Sequence, residues 1–169
     1  QHLALILLLL SCNQHYNTEK INVISDLAST TKEDLKNLNS LDPQKIKNHL
    51  QIAKFNLSKI EEKELDSISI ELIYFEYRDY LHCVNNLYES LNKIATLKSL
   101  LINNKTQLKN IKADYINSRE RRYDLDKYLL EESKIIKTTS ESVHNTINII
   151  NIETERFFNL NSKIEEIIH

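Results

Sequence analysis

Two histidine neighbourhoods and two cysteines carry the side chains of this 169-residue chain best suited to chemistry. Glu141-Ser142-Val143-His144 has the Glu-x-x-His spacing with which di-iron bundles hold metal from one helix face, and Asp79-Tyr80-Leu81-His82 half matches it. Position argues against a metal centre. Glu141 stands where a capping box places its glutamate, and the inward positions beside Asp79 and His82 go to Tyr80 and Val84. Cys83 follows His82 directly, but neighbours on a helix point about 100° apart and cannot converge on one ion. The histidines at 15, 49, 82, 144 and 169 form no i, i+4 pair of the zinc type. Cys83 therefore reads as a buried structural thiol. A chain with no glycine also lacks the sharp nucleophile elbow and the phosphate loop. The sequence thus predicts no enzyme, no metal or other cofactor and no small-molecule substrate.

Cys12 invites a different chemistry. It follows an unbroken apolar run, Leu3 to Leu10, with only Ser11 between. The run is apolar on every side, unlike an amphipathic core helix, and it is far shorter than the ~20 residues that span a bilayer. Leu9-Leu10-Ser11-Cys12 resembles the lipobox of bacterial lipoproteins, in which cleavage leaves the cysteine as the first residue. The resemblance implies that residues 1–11 are a signal-peptide remnant, clipped upstream, and that Cys12 is lipidated. A diacylglycerol plus an amide-linked chain would anchor the protein to a membrane permanently. The alternative is a buried apolar segment with a buried thiol.

The elements that would position these residues are helices. Gly is absent and Pro43 is the only proline, so strands and tight turns lose their usual punctuation. Charged residues make up 27% of the chain with a net charge of only -2, which gives no one-signed field for nucleic acid. Residues 12–20 are polar and aperiodic and read as a mobile lipidated tether. Ile21, Ile24, Leu27 and Ala28 then recur at helical spacing, and Thr30-Thr31-Lys32-Glu33 reads as a capping box that breaks this part into two short helices. Asp42-Pro43 opens a helix to about residue 65, with Ile46, Leu50, Ala53, Leu57 and Ile60 on one stripe.

From Asp66-Ser67 onward, Ile70, Ile73, Tyr77, Tyr80, Val84, Leu87, Leu91, Ile94 and Leu101 alternate three-four spacing over 68–102, about 50 Å of helix at 1.5 Å per residue. Asn103-Asn104-Lys105 is the turn candidate in a chain without glycine. A helix over 105–137 follows on Leu108, Ile111, Tyr115, Leu125, Leu129 and Ile136, with Ser118 and Arg122 at seam positions. Thr138-Thr139-Ser140-Glu141 reads as a second capping box before a last helix over 141–168; one continuous helix across 138–141 is the rival. The prediction is an all-α, antiparallel helical bundle with long coiled-coil-like helices, in a single domain over 21–169.

The Ser11-Cys12-Asn13 junction, the Asn/Lys/Ile-rich composition, the polar tether and a helical body of this size together resemble the plasmid-type surface lipoproteins of borrelial spirochaetes. Within these, the length and helical layout are most similar to the small factor H-binding lipoproteins of relapsing-fever spirochaetes. That resemblance implies a lipid-anchored protein of the bacterial outer membrane, at the cell surface, that holds the host complement regulator factor H for immune evasion. Two polar surfaces are candidates for the partner: the turn Asn103, Asn104, Lys105 and Thr106, and the seam interruption with Arg119, Arg121, Arg122 and Tyr123. The alternatives are an envelope-associated lipoprotein that pairs with partner helices, or an adhesin for host matrix. The apolar residues Leu100, Ile116, Ile149, Ile152 and Phe158 lie off the main stripes and would serve a broader core or such a helix interface. A homodimer is open.

Overall fold

A chain with no glycine and one proline has few places where a helix must stop, and its helices are long. The computed structural model describes residues 2–62, 67–117 and 123–168, with side-chain surroundings described for 17–62, 71, 73–117 and 123–168. The helices are α1 (His2–Ser40), α2 (Pro43–Glu62), α3 (Ser67–Asn117) and α4 (Tyr123–Ile168), and no strand occurs among the described residues. The fold is an all-α bundle with long, coiled-coil-like helices.

The start of α2 follows its sequence signal. Asp42 Oδ1 accepts from the backbone N–H groups of Gln44 at 3.0 Å and Lys45 at 3.2 Å, ahead of Pro43 at the first helical position. The expected start of α3 near 67–68 and the end of the last helix at 168 also hold, while the interior boundaries at 103–105, 138–141 and 30–31 do not. α3 runs through Asn103-Asn104-Lys105 without a turn, because Leu101 and Leu108 bury the same face on either side and carry Asn104 into the core between them. α4 runs through 138–141, so the continuous helix holds there. Within the expected box the Thr139 Oγ1 bonds back to the Ile135 carbonyl at 2.8 Å, and just beyond it the Ser142 Oγ bonds back to the Thr138 carbonyl at 2.9 Å. α1 is likewise unbroken at Thr30-Thr31, whose hydroxyls donate to the Asp26 and Leu27 carbonyls at 3.2 and 2.9 Å. Residues 12–20, expected as a mobile tether, have helical backbone as part of α1.

The chain divides into two compact units, one formed by Gln1–Asn37 with Leu97–Val143 and the other by Leu38–Thr96 with His144–His169. In the first unit Ile24 of α1 packs with Leu108, Ile111 and Tyr115 of α3 and with Leu125, Leu129 and Ile136 of α4. Polar bonds tie the same three helices: Lys112 Nζ donates to Ser25 Oγ at 3.1 Å, Tyr115 Oη to Asp126 Oδ1 at 2.7 Å, and Lys20 Nζ lies 3.7 Å from Asp126. In the second unit Ile46, Ala53 and Ile60 of α2 close on Tyr80, Cys83, Leu87 and Ile94 of α3 and on Ile150, Phe157 and Ile164 of α4. Pairing numbers fix the directions. Tyr115–Asp126 and Asn104–Thr139 in one unit, and Asn86–Glu153 and Tyr80–Asn161 in the other, show residue number rising on α3 as it falls on α4, so the two are antiparallel. His49 meets Phe157 and Asn56 meets Asn161, so α2 runs parallel to α4.

Candidate functional site

The side chains that could do chemistry gather in the second unit, where heptad spacing brings polar residues into the seam. Along α3 the buried positions are Tyr80, Cys83, Leu87, Ser90, Ile94, Leu97, Leu101, Asn104, Leu108, Ile111 and Tyr115, an unbroken three-four alternation. On α4, Thr139, Thr146 and Glu153 occupy equivalent buried positions. Glu153 is the most demanding, because a buried carboxylate without partners would be strongly unfavourable. Asn86 Nδ2 donates to its Oε1 at 2.7 Å, and Arg156 reaches both oxygens at 3.1 and 3.0 Å. Asn86 Nδ2 also lies 3.1 Å from His82 Nδ1.

Cys83 sits against this group but is not activated by it. Its Sγ donates to the Glu153 carbonyl oxygen at 3.2 Å, and burial, with the Glu153 carboxylate adding to it, pushes the thiol up to about 12. A thiol so protonated is no nucleophile near neutral pH. One turn away, Asn161 Oδ1 accepts from Tyr80 Oη at 2.7 Å and from Asn56 Nδ2 at 2.9 Å, joining α2, α3 and α4 at one atom. Burial raises the Tyr80 phenol to about 12.

His49 completes the set. It is 6% exposed, its ring centroid lies 4.7 Å from that of Phe157 and 5.0 Å from that of Phe158, and neither ring nitrogen has a hydrogen-bond partner. Burial lowers its pKa, and the nearby Lys45 ammonium adds to the effect. Beside it an open groove of about 470 Å³ runs between α2 and α4, lined by Leu41, Lys45, Ile46, Ile150, Glu155 and Phe158. Lys45 Nζ lies 5.7 Å from the Phe158 ring centroid. In the first unit a smaller groove of about 360 Å³ is walled by Leu97, Leu100, Ile135, Thr138 and Thr139.

The residues expected at a partner surface are dispersed. Asn103, Lys105 and Thr106 are exposed in mid-helix, while Asn104 is buried with its Nδ2 3.5 Å from Thr139 Oγ1 and so presents no surface. Arg119, Arg121 and Arg122 lie outside the described residues, and Tyr123 is 78% exposed at the first position of α4. The Cys12 side chain also lies outside them, although its backbone belongs to α1. Among the described residues no group of three or more His, Cys, Asp or Glu could hold a metal ion, and Glu141 and His144 are both exposed. No described helix is long and apolar enough to cross a membrane.

Sequence reasoning missed His49, Asn56, Asn86, Glu153 and Asn161. The signal was present for His49 and Asn56, which continue the spacing of Ile46, Ala53 and Ile60, but a seam read only from apolar residues skips them. It also placed Val84 and Leu91, which are half-buried, in the α3 seam where Ser90 is buried, although it read Cys83 correctly as a buried thiol. No protein family, curated protein or solved structure matches the chain.

Proposed function

We propose that this is a lipid-anchored surface lipoprotein of a bacterial outer membrane that holds a host serum protein, with complement regulator factor H as the first candidate. The protein acts by binding rather than by catalysis. The observation that carries this reading is the set of large side chains left on the outer faces of α2 and α3. Phe55, Tyr74, Phe75 and Tyr88 are each more than half exposed, Lys59 Nζ lies 5.8 Å from the Phe55 ring centroid, and the Arg78 guanidinium lies 5.2 Å from that of Phe75. Aromatic and arginine side chains are enriched in the centres of protein interfaces relative to the rest of the surface. Rigid helices present them with little ordering cost on binding. Lipidation of Cys12 would hold this surface at the membrane. The test is a serum pull-down with the chain from Gln14 onward. Recovery of factor H is expected, and retention of no serum protein would refute the reading.

A second reading, pairing with partner helices in the envelope, is favoured by one observation. Leu100, Ile116, Ile152 and Phe158 are exposed at 40 to 61% rather than absorbed into a broader core, while Ile149 is half-buried. Sedimentation of the purified chain with and without an envelope extract, alongside protease accessibility on intact cells, separates this role from host binding.

A further inference from the structure

Within the second unit α2 packs on α3 and α4 by one stripe of side chains, and the polar residue midway along the first half of that stripe is His49. We propose that His49 is an acid-sensitive latch: a proton added to its ring loosens α2 from α4 and uncovers the apolar strip beneath. The latch works whatever the outer surface binds.

The buried ring faces apolar and cationic groups directly, while the carboxylates of Asp42 and Glu155 line the groove beside it and make no hydrogen bond to its nitrogens. A neutral ring buried between Phe157 and Phe158 already leaves its polar nitrogens without partners. Protonation would bury a second N–H donor and a full charge where neither can be met by protein groups. From α2 itself the charged neighbour is Lys45, whose ammonium already faces the Phe158 ring and would repel a second cation there. From α4 the contacts are the two phenylalanine rings; the charged residues close to them in sequence are Glu153 and Arg156, engaged with each other and with Asn86, and Glu155 on the wall of the groove. From α3 the titratable groups in the same core are Tyr80, stacked on Phe157 at 5.7 Å, and Cys83, and both stay protonated through neutral and acidic pH. Relief comes when the ring reaches water, and lifting α2 away from Phe157 opens that route. The lifted helix would expose Ile46, Ala53 and Ile60 together with the Tyr80 and Phe157 faces they cover.

The sign follows from linkage. A group whose folded pKa lies below its unfolded value of about 6.5 binds its proton more readily in the open form, so closure weakens as pH falls below that value. The limit is about tenfold per pH unit until the closed form itself is titrated. Amide hydrogen exchange of the whole chain between about pH 7.5 and 5, corrected for intrinsic exchange, reads this directly. Opening of segment 43–62 should rise by up to about tenfold per unit below pH ~6.5 while segments 17–37 and 100–117 do not follow, and His49→Leu should flatten the response. A flat wild-type profile, an equal rise in 17–37, or an unchanged rise in His49→Leu would overturn the proposal. Should the variant fail to fold, ring titration of His49 by NMR in the wild type decides: a midpoint well below the ordinary value supports the latch, and an ordinary or higher one overturns it.

Discussion

Cys83 shows how little a reactive residue type says without its surroundings. Its Sγ–H is spent on the Glu153 carbonyl, its accessible surface is nil, and its pKa near 12 leaves almost no thiolate at neutral pH. Labelling by a soluble thiol reagent at about pH 8, mapped to individual residues by mass, should therefore leave Cys83 unmodified in the native chain and complete in denaturant. Native modification at the rate of a free thiol would show that the seam opens there. Glu153 repeats the lesson with opposite chemistry. Its burial is tolerable only because Asn86 and Arg156 satisfy both oxygens, which turns a would-be reactive carboxylate into a clamp between α3 and α4.

At the scale of elements, the long helices owe their continuity to residues that bond backward. Thr30, the cap of the first expected box, and Thr139, within the second, each return the hydroxyl to the carbonyl four residues earlier. Asn104 occupies a seam position with a single long contact, its Nδ2 3.5 Å from a Thr139 Oγ1 that itself donates to the Ile135 carbonyl. Asn104→Leu should therefore stabilise the fold by about 1 kcal/mol, because apolar burial replaces a weak polar contact, whereas Leu108→Ala should cost about 2–5 kcal/mol. Urea unfolding followed by circular dichroism measures both, and a destabilised Asn104→Leu would mean that the asparagine bonds more than Thr139. Fold class, the Asp42-Pro43 start and the apolar half of each seam were legible because they rest on periodicity and capping within a few residues. The continuity of α3 through Asn103, that of α4 through Thr138 and the polar half of the seam were not. Whether Asn or Thr stops a helix is a small local preference, and burial of flanking Leu101, Leu108, Ile136 and Val143 overrides it from outside the window in which the preference can be read. The His49 and Asn161 clusters were hidden for the same reason, since their partners come from a different helix.

For the whole molecule, buried titratable groups set the pH range in which the helices stay together. Tyr80 and Cys83 are both raised to about 12 from ordinary values of 10.0 and 9.0, so their contribution is fully present below those ordinary values and is lost as pH rises through the folded one. Urea midpoints should fall above about pH 9 with a dependence approaching two protons, and Cys83→Ala should remove about one of them; a midpoint independent of pH up to about 11 would refute the assignment. On the acid side the two units differ in sign. Burial raises Glu132 in the first unit, so falling pH relieves a penalty there, while protonation of His49 imposes one in the second.

The antiparallel course of α3 and α4 also orders the events by which they meet. The Tyr115–Asp126 bond closes a sequence separation of only 11 residues, while Tyr80–Asn161 closes 81. The entropy of drawing a flexible chain's ends together grows with the logarithm of its length, so the second closure made alone costs about 2 kcal/mol more than the first. Made after the first, it is a short step along an existing hairpin. By closure entropy alone, pairing of α3 with α4 is therefore cheapest to begin at the Tyr115–Asp126 end.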